Sequence, residues 1–121
     1  MSAEDFAWAV RTGDLAGVRE FVENRTFPAN YVEPGINKRT PLHWAADYGK
    51  VDVIEYLLSK GANIEAKDNY GNTPLFAAIY EGHDAAVAAL LAKGANKNAI
   101  GQNGKKPIEV AEKESIKALL R

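Results

Sequence analysis

Two histidines, His43 and His83, sixteen carboxylates and no cysteine make up the reactive inventory of this 121-residue chain. Without thiols there are no disulfides, thiolate metal sites or cysteine nucleophiles. Neither histidine stands in an HExxH pattern, and calcium-loop, P-loop and GxGxxG spacings do not occur. His43 follows Thr40 at i, i+3, which suits a hydrogen-bond network pinning a helix start. The position equivalent to His43, 33 residues on, is Phe76, so a required catalytic group is not expected there. His83 belongs to a Gly-His turn and is read the same way. The carboxylates form no acid–base pair with a defined pocket. We therefore expect no enzyme, no cofactor and no metal. The chemistry left is recognition: Trp8, Trp44, Tyr48 and Tyr80 interleave with Asp47 and Glu81, pairing large amphipathic rings with negative charge.

The elements that must position these side chains recur along the chain. TPLHWAADYGKVDVIEYLLSKGANIEAKDNYGN, from Thr40 to Asn72, is followed by TPLFAAIYEGHDAAVAALLAKGANKNAIGQNGK from Thr73 and by KPIEVAEKESIKALLR from Lys106. Pro41, Pro74 and Pro107 thus recur every 33 residues, and that period opening on TPLH identifies an ankyrin array. Each unit has its own local logic. Thr40 caps a first helix and Pro41 fits its first turn, where the missing N–H costs nothing. Gly49 ends that helix, and Val53, Ile54, Leu57 and Leu58 give a second helix, Val51 to about Lys60, one apolar face. Asp68, Asn69 and Gly71 supply the turn chemistry of an exposed finger. One unit cannot bury its own face, so it is stable only when stacked.

The expected architecture is an all-α ankyrin-repeat solenoid of about four helix-turn-helix repeats with finger loops. It forms a single domain over 1–121, with approximate repeats 2–36, 37–69, 70–102 and 103–121. The first repeat, lacking TPLH, is an N-terminal cap in which Ser2 and Asp5 cap the helix and Gly13 sits where Gly49 and Gly82 sit later. The first finger, Asn24 to Arg39, is three residues longer than the period requires, with the excess expected beside Glu33. The last repeat is a truncated cap in which Ile116, Leu119 and Leu120 match Ile54, Leu57 and Leu58 after a four-residue deletion.

Composition agrees: 46% apolar and 26% charged residues with a net charge of −1 give no reason to expect nucleic-acid binding. The N-terminus is acidic where a signal peptide is basic, and the longest apolar run, Ala85 to Ala92, is far short of a bilayer span. A soluble, monomeric, cytoplasmic protein is expected, with nuclear entry left open, and with protein partners rather than nucleic acid, membrane or small-molecule substrate.

In a 33-residue unit the solvent-facing positions of the first helix line one concave side. Counted from Thr40 these are Trp44, Asp47 and Tyr48, matched by Ala77, Tyr80 and Glu81 and by Trp8, Arg11 and Thr12. The stripe Trp44, Asp47, Tyr48, Tyr80 and Glu81 is expected to form an interface for a basic partner, with packing across adjacent repeats as the other reading for Trp8 and Trp44.

FAWAVRTGDL at Phe6 to Leu15, RTPLHWAADYG at Arg39 to Gly49, TPLFAAIYEGH at Thr73 to His83 and IKALLR at Ile116 to Arg121 carry a closer resemblance. The chain resembles the myotrophin family, small ankyrin-repeat proteins that bind the F-actin capping protein heterodimer. The resemblance implies a sequestering inhibitor that holds capping protein by its basic surface and away from filament barbed ends. Carried over by position, it implies contacts from Trp8, Glu33, Asp47, Tyr80 and Glu81; Trp44 and Tyr48 come from the surface pattern above. Asp68 and Tyr70 of the second finger are unranked candidates. Ankyrin arrays serve many targets, so a cell-cycle kinase or a Rel-type transcription factor stands as the alternative partner, and an activity hidden in the irregular loops as a third reading.

Overall fold

A computed structural model describes residues 2–121. Eight α-helices follow one another in pairs: α1 (Ala3–Thr12) and α2 (Leu15–Glu23), α3 (Pro41–Asp47) and α4 (Val51–Ser59), α5 (Pro74–Tyr80) and α6 (Asp84–Ala92), α7 (Pro107–Val110) and α8 (Glu114–Leu120). The first helices of successive pairs stack on each other, α1 on α3 on α5 on α7, while α2, α4, α6 and α8 form a second layer behind them. This is the all-α ankyrin solenoid expected from the period.

Local chemistry sets the ends of several helices. Ser2 Oγ accepts from Asp5 N and Asp5 Oδ2 accepts from Ser2 N, both at 3.1 Å, so aspartate completes the reciprocal cap here. Asp14 accepts from the Gly17 N–H at 3.0 Å to open α2. Pro41, Pro74 and Pro107 occupy the first turns of α3, α5 and α7. Gly13, Gly49 and Gly82 turn the chain between paired helices with φ of 77°, 68° and 73°, a left-handed conformation that favours glycine.

The same three glycines make room for the next repeat. A Cβ on Gly49 would lie 2.7 Å from Nδ1 of His83, and one on Gly13 would lie 3.0 Å from Cδ of Lys50. His83 donates through Nε2 to the Asp47 carbonyl at 2.9 Å, and Lys113 donates through Nζ to the Gly82 carbonyl at 3.0 Å. Lys50 and His83, each following a helix-ending glycine, and Lys113, at the equivalent position after Glu112, therefore reach back over the glycine of the preceding repeat, which gives His83 its structural role.

Phe6, Val18, Leu42, Val53, Ile54, Leu57, Leu75, Leu90 and Ile116 are fully buried in one continuous core. At its N-terminal end the core is aromatic. Phe6 stacks on Phe27 at 5.2 Å, and Phe21, Tyr31 and Trp44 surround the pair.

Two register expectations are corrected. α2 ends at Glu23 and α4 at Ser59, 36 residues apart, yet Asn30 bonds to Asn63 N at 2.7 Å and Tyr70 Oη donates to Asn37 at 3.1 Å, both at a separation of 33. The exact period is thus already running at Asn30, so the three extra residues of the first finger lie upstream, within 24–29, rather than beside Glu33. They carry Phe27 into the aromatic core. At the other end, α8 begins 30 residues after α6, a deletion of three rather than four. Leu119 is consequently 40% exposed, and Ile116 and Leu120 fill the positions of Val53 and Leu57.

Candidate functional site

Between the fingers and the first-helix layer runs an open groove of about 460 Å³. Its helix side is formed by Asp47 at the end of α3 and by Ala77, Tyr80 and Glu81 at the end of α5; Arg39, Asp68 and Tyr70 come from the fingers. Asp47 and Glu81 are shared with an adjoining hollow of about 370 Å³ completed by Tyr48 and His83. The structure thus brings Asp47, Tyr48, Tyr80 and Glu81 onto one continuous surface. Tyr48 and Tyr80 are each about half exposed, and Glu81 is exposed.

Bonds between and within the fingers hold this surface in shape. Asn69 N donates to the Asn37 carbonyl at 2.8 Å, and Asp68 Oδ1 accepts from the N–H groups of Tyr70 and Asn72 at 2.9 and 3.0 Å. His43, fully buried, bridges α3 and the second finger. Its Nε2 lies 2.8 Å from the Asn72 carbonyl, which can only accept, so Nε2 carries the proton and Nδ1 accepts from Thr40 N at 3.1 Å. In the next repeat Phe76 replaces this histidine, and the hydroxyl of Thr73 is buried without a hydrogen-bond partner among the described residues.

Arg39 was not among the residues singled out by sequence, yet it is the cation of the groove. Its Nη1 donates to Asp47 Oδ2 at 2.5 Å, and its Nε lies 3.8 Å from Asp68 Oδ2. Burial pulls the Arg39 pKa down, but the Asp47 hydrogen bond and the charges of Asp47, Asp68 and Glu33 overcome this and raise it. One guanidinium therefore faces Asp47, Asp68 and Glu81 across the groove, which stays net negative. Sequence carried only a weak signal for this pair, an arginine directly before a TPLH start.

Trp44 corrects the surface reading. It is 8% exposed, packs edge-on against Phe6 at 6.1 Å and beside Tyr31 at 6.3 Å, and donates from Nε1 to Glu33 Oε1 at 3.1 Å. It supports the site from beneath and is not part of the surface. Ala77, at the same helix position, is also buried. Trp8, again at that position, is 67% exposed on α1. Glu33, half-buried on the first finger, takes its orientation from Trp44. Trp8 and Glu33 lie outside both hollows lined by Asp47 and Glu81.

Among the described residues no His, Cys, Asp and Glu side chains group so as to hold a metal ion, and no helix is long and apolar enough to cross a membrane.

Known proteins resemble this chain in sequence. A family model described as ankyrin repeats (3 copies) matches residues 6–101. Myotrophin of Xenopus tropicalis is 45% identical over 63 residues, 52% of this chain and 51% of that one. Serine/threonine-protein kinase 12 of Arabidopsis thaliana is 41% identical over 68 residues, 56% of this chain but 14% of the kinase. The 26S proteasome non-ATPase regulatory subunit 10 of Dictyostelium discoideum is 35% identical over 81 residues, 66% of this chain and 34% of that subunit. The matched stretch spans about half of myotrophin's length and less of the other two. The kinase likeness is one of repeats. Stacked repeats of this kind present extended concave surfaces to protein partners, and this chain is a protein-interaction module. From its paired helices, its 33-residue repeat and the family match, the chain belongs to the ankyrin-repeat family.

Proposed function

We propose that the groove binds the F-actin capping protein heterodimer and sequesters it, so that captured capping protein no longer blocks filament barbed ends. The observation that carries this reading is the single surface shared by Tyr48, Tyr80, Asp47 and Glu81. The myotrophin likeness supports it. Half-exposed tyrosines supply contact area that loses water on binding, and carboxylates steer a basic partner and fix its register. Trp8 and Glu33 extend the contact toward the N-terminal repeat, with Trp44 holding Glu33 in place. The chain acts as one monomeric ankyrin domain in the cytoplasm, with no catalytic step.

Actin elongation from barbed ends in the presence of capping protein tests the proposal. Restored growth on adding this protein supports sequestration, and capping that persists at saturating protein overturns it. Pull-down from cytosol separates the competing partners: recovery of both capping protein subunits supports the proposal, whereas recovery of a cell-cycle kinase or a Rel-type factor alone replaces it.

A further inference from the structure

The tip of the third finger carries the chain's one Asn-Gly dipeptide, Asn103–Gly104. Asn103 has φ 62° and ψ 22°, and Gly104 has φ 70°. Two successive left-handed residues form the turn that Asn-Gly favours, so the pair is there first for its shape. The same pair carries a chemical liability. We propose that Asn103 is a site of spontaneous deamidation, a modification that places a new carboxylate on the finger bordering the groove.

In this reaction the Gly104 backbone nitrogen attacks Asn103 Cγ. An N–Cγ bond forms, the Cγ–Nδ2 bond breaks, and Nδ2 leaves as ammonia with the proton from the Gly104 nitrogen. The resulting succinimide takes up water at one of its two carbonyls and opens to aspartate or to isoaspartate. No oxidant or enzyme is needed.

Four observations favour this position. Both residues are exposed, and a Cβ on Gly104 would meet nothing within 4 Å, so no neighbouring group blocks the attack. No hydrogen bond holds the Asn103 carboxamide among the described residues, whereas adjacent Gln102 is tied through its N–H to Asn72 Oδ1 at 3.1 Å. The attacking nitrogen makes one bond, Gly104 N to the Gly101 carbonyl at 3.1 Å, and the turn around it is closed by Lys105 N to the Gln102 carbonyl at 3.4 Å. The base of the finger stays closed through Gly101 N to the Lys105 carbonyl at 2.8 Å, so the tip opens without unfolding the repeat. Lys105 and Lys106 follow directly and are exposed, and their positive charge favours the deprotonated amide that attacks.

Aspartate at this position takes the net charge from −1 to −2. Isoaspartate lengthens the main chain inside a turn with no slack and disturbs Gln102, which lines the groove.

The test is prolonged incubation of the folded protein in neutral buffer, followed by tandem mass spectrometry and isoaspartyl methyltransferase labelling. The expected result is amide-to-acid conversion at Asn103 ahead of every other asparagine, with exposed Asn24 and Asn98 as internal controls and N103Q free of the isoaspartate signal. Conversion led by another asparagine overturns the proposal. So does a Gly101–Lys106 peptide that converts while the folded protein stays intact, because the turn would then be protective.

Discussion

The indole Nε1–H of Trp44 donates to the Glu33 carboxylate at 3.1 Å, joining a side chain in the core to one on the first finger. The ring is fixed by Phe6 and Tyr31, so the carboxylate inherits the rigidity of the aromatic core. Trp44→Phe keeps a ring and removes the donor; we expect a loss of about 0.5–1.5 kcal/mol, as for a single hydrogen bond. Trp44→Ala empties the site and should cost about 3–5 kcal/mol. Urea denaturation measures both, and equal losses for the two variants would show that the ring's packing contributes nothing.

Asp47 and Glu81 share the groove but differ in their neighbours. Glu81 is exposed, whereas Asp47 is bonded to Arg39. Glu81→Lys should weaken binding to a basic partner and flatten its salt dependence with an unchanged melting temperature. Asp47→Lys should do the same and also destabilise the fold, since it sets a second cation against Arg39. Binding titrations at two ionic strengths, with melting curves alongside, make the check; unchanged affinity for both variants would remove this face from the contact.

Acid should loosen the junction between the second and third repeats through His43. Burial, aided by the charge of Arg39, lowers its pKa; the Asn72 carbonyl and the charges of Asp68 and Asp47 oppose this without reversing it. The folded state therefore binds the proton less readily than the unfolded chain. The His43 contribution is complete above the unfolded value of about 6.5 and is lost as pH falls below it, at no more than about 1.4 kcal/mol per pH unit. Stability measured across that window should show this slope in the native protein and a reduced one in His43→Phe, which copies what Phe76 does in the next repeat. An equal slope in both would clear His43.

Phe76 imposes a requirement on the third finger. A Cβ on Gly101 would lie 2.7 Å from two ring carbons of Phe76 and 3.0 Å from Asn72 Oδ1. Gly101 has φ −106°, an ordinary backbone angle, so crowding is the reason for glycine at this site. Gly101→Ala should cost about 1–3 kcal/mol by overpacking. Adding Phe76→Leu should recover part of that loss, and a double-mutant cycle reads the coupling. Strict additivity would mean that the ring moves aside freely.

The sequence by itself determined the repeated parts. Pro41, Pro74 and Pro107 set the period, Thr40 with His43 announced a helix start, and Gly49 and Gly82 marked the helix ends. Each of these acts within about one turn of its own position, so residue type and spacing are enough to read it. Asp47, Tyr48, Tyr80 and Glu81 were legible as a surface for the same reason, because the period carries a helix face from one repeat to the next. Only the tertiary structure decided which members of an equivalent set are covered. Trp8, Trp44 and Ala77 share one helix position, yet Trp8 stands in solvent while Trp44 is enclosed by Phe6, Tyr31 and Glu33. The Arg39–Asp47 pair, the placement of Phe27 and the burial of Leu120 rather than Leu119 are of the same kind. Each depends on where a finger or a neighbouring helix comes to rest, which is fixed by packing between repeats and leaves no periodic trace in the chain.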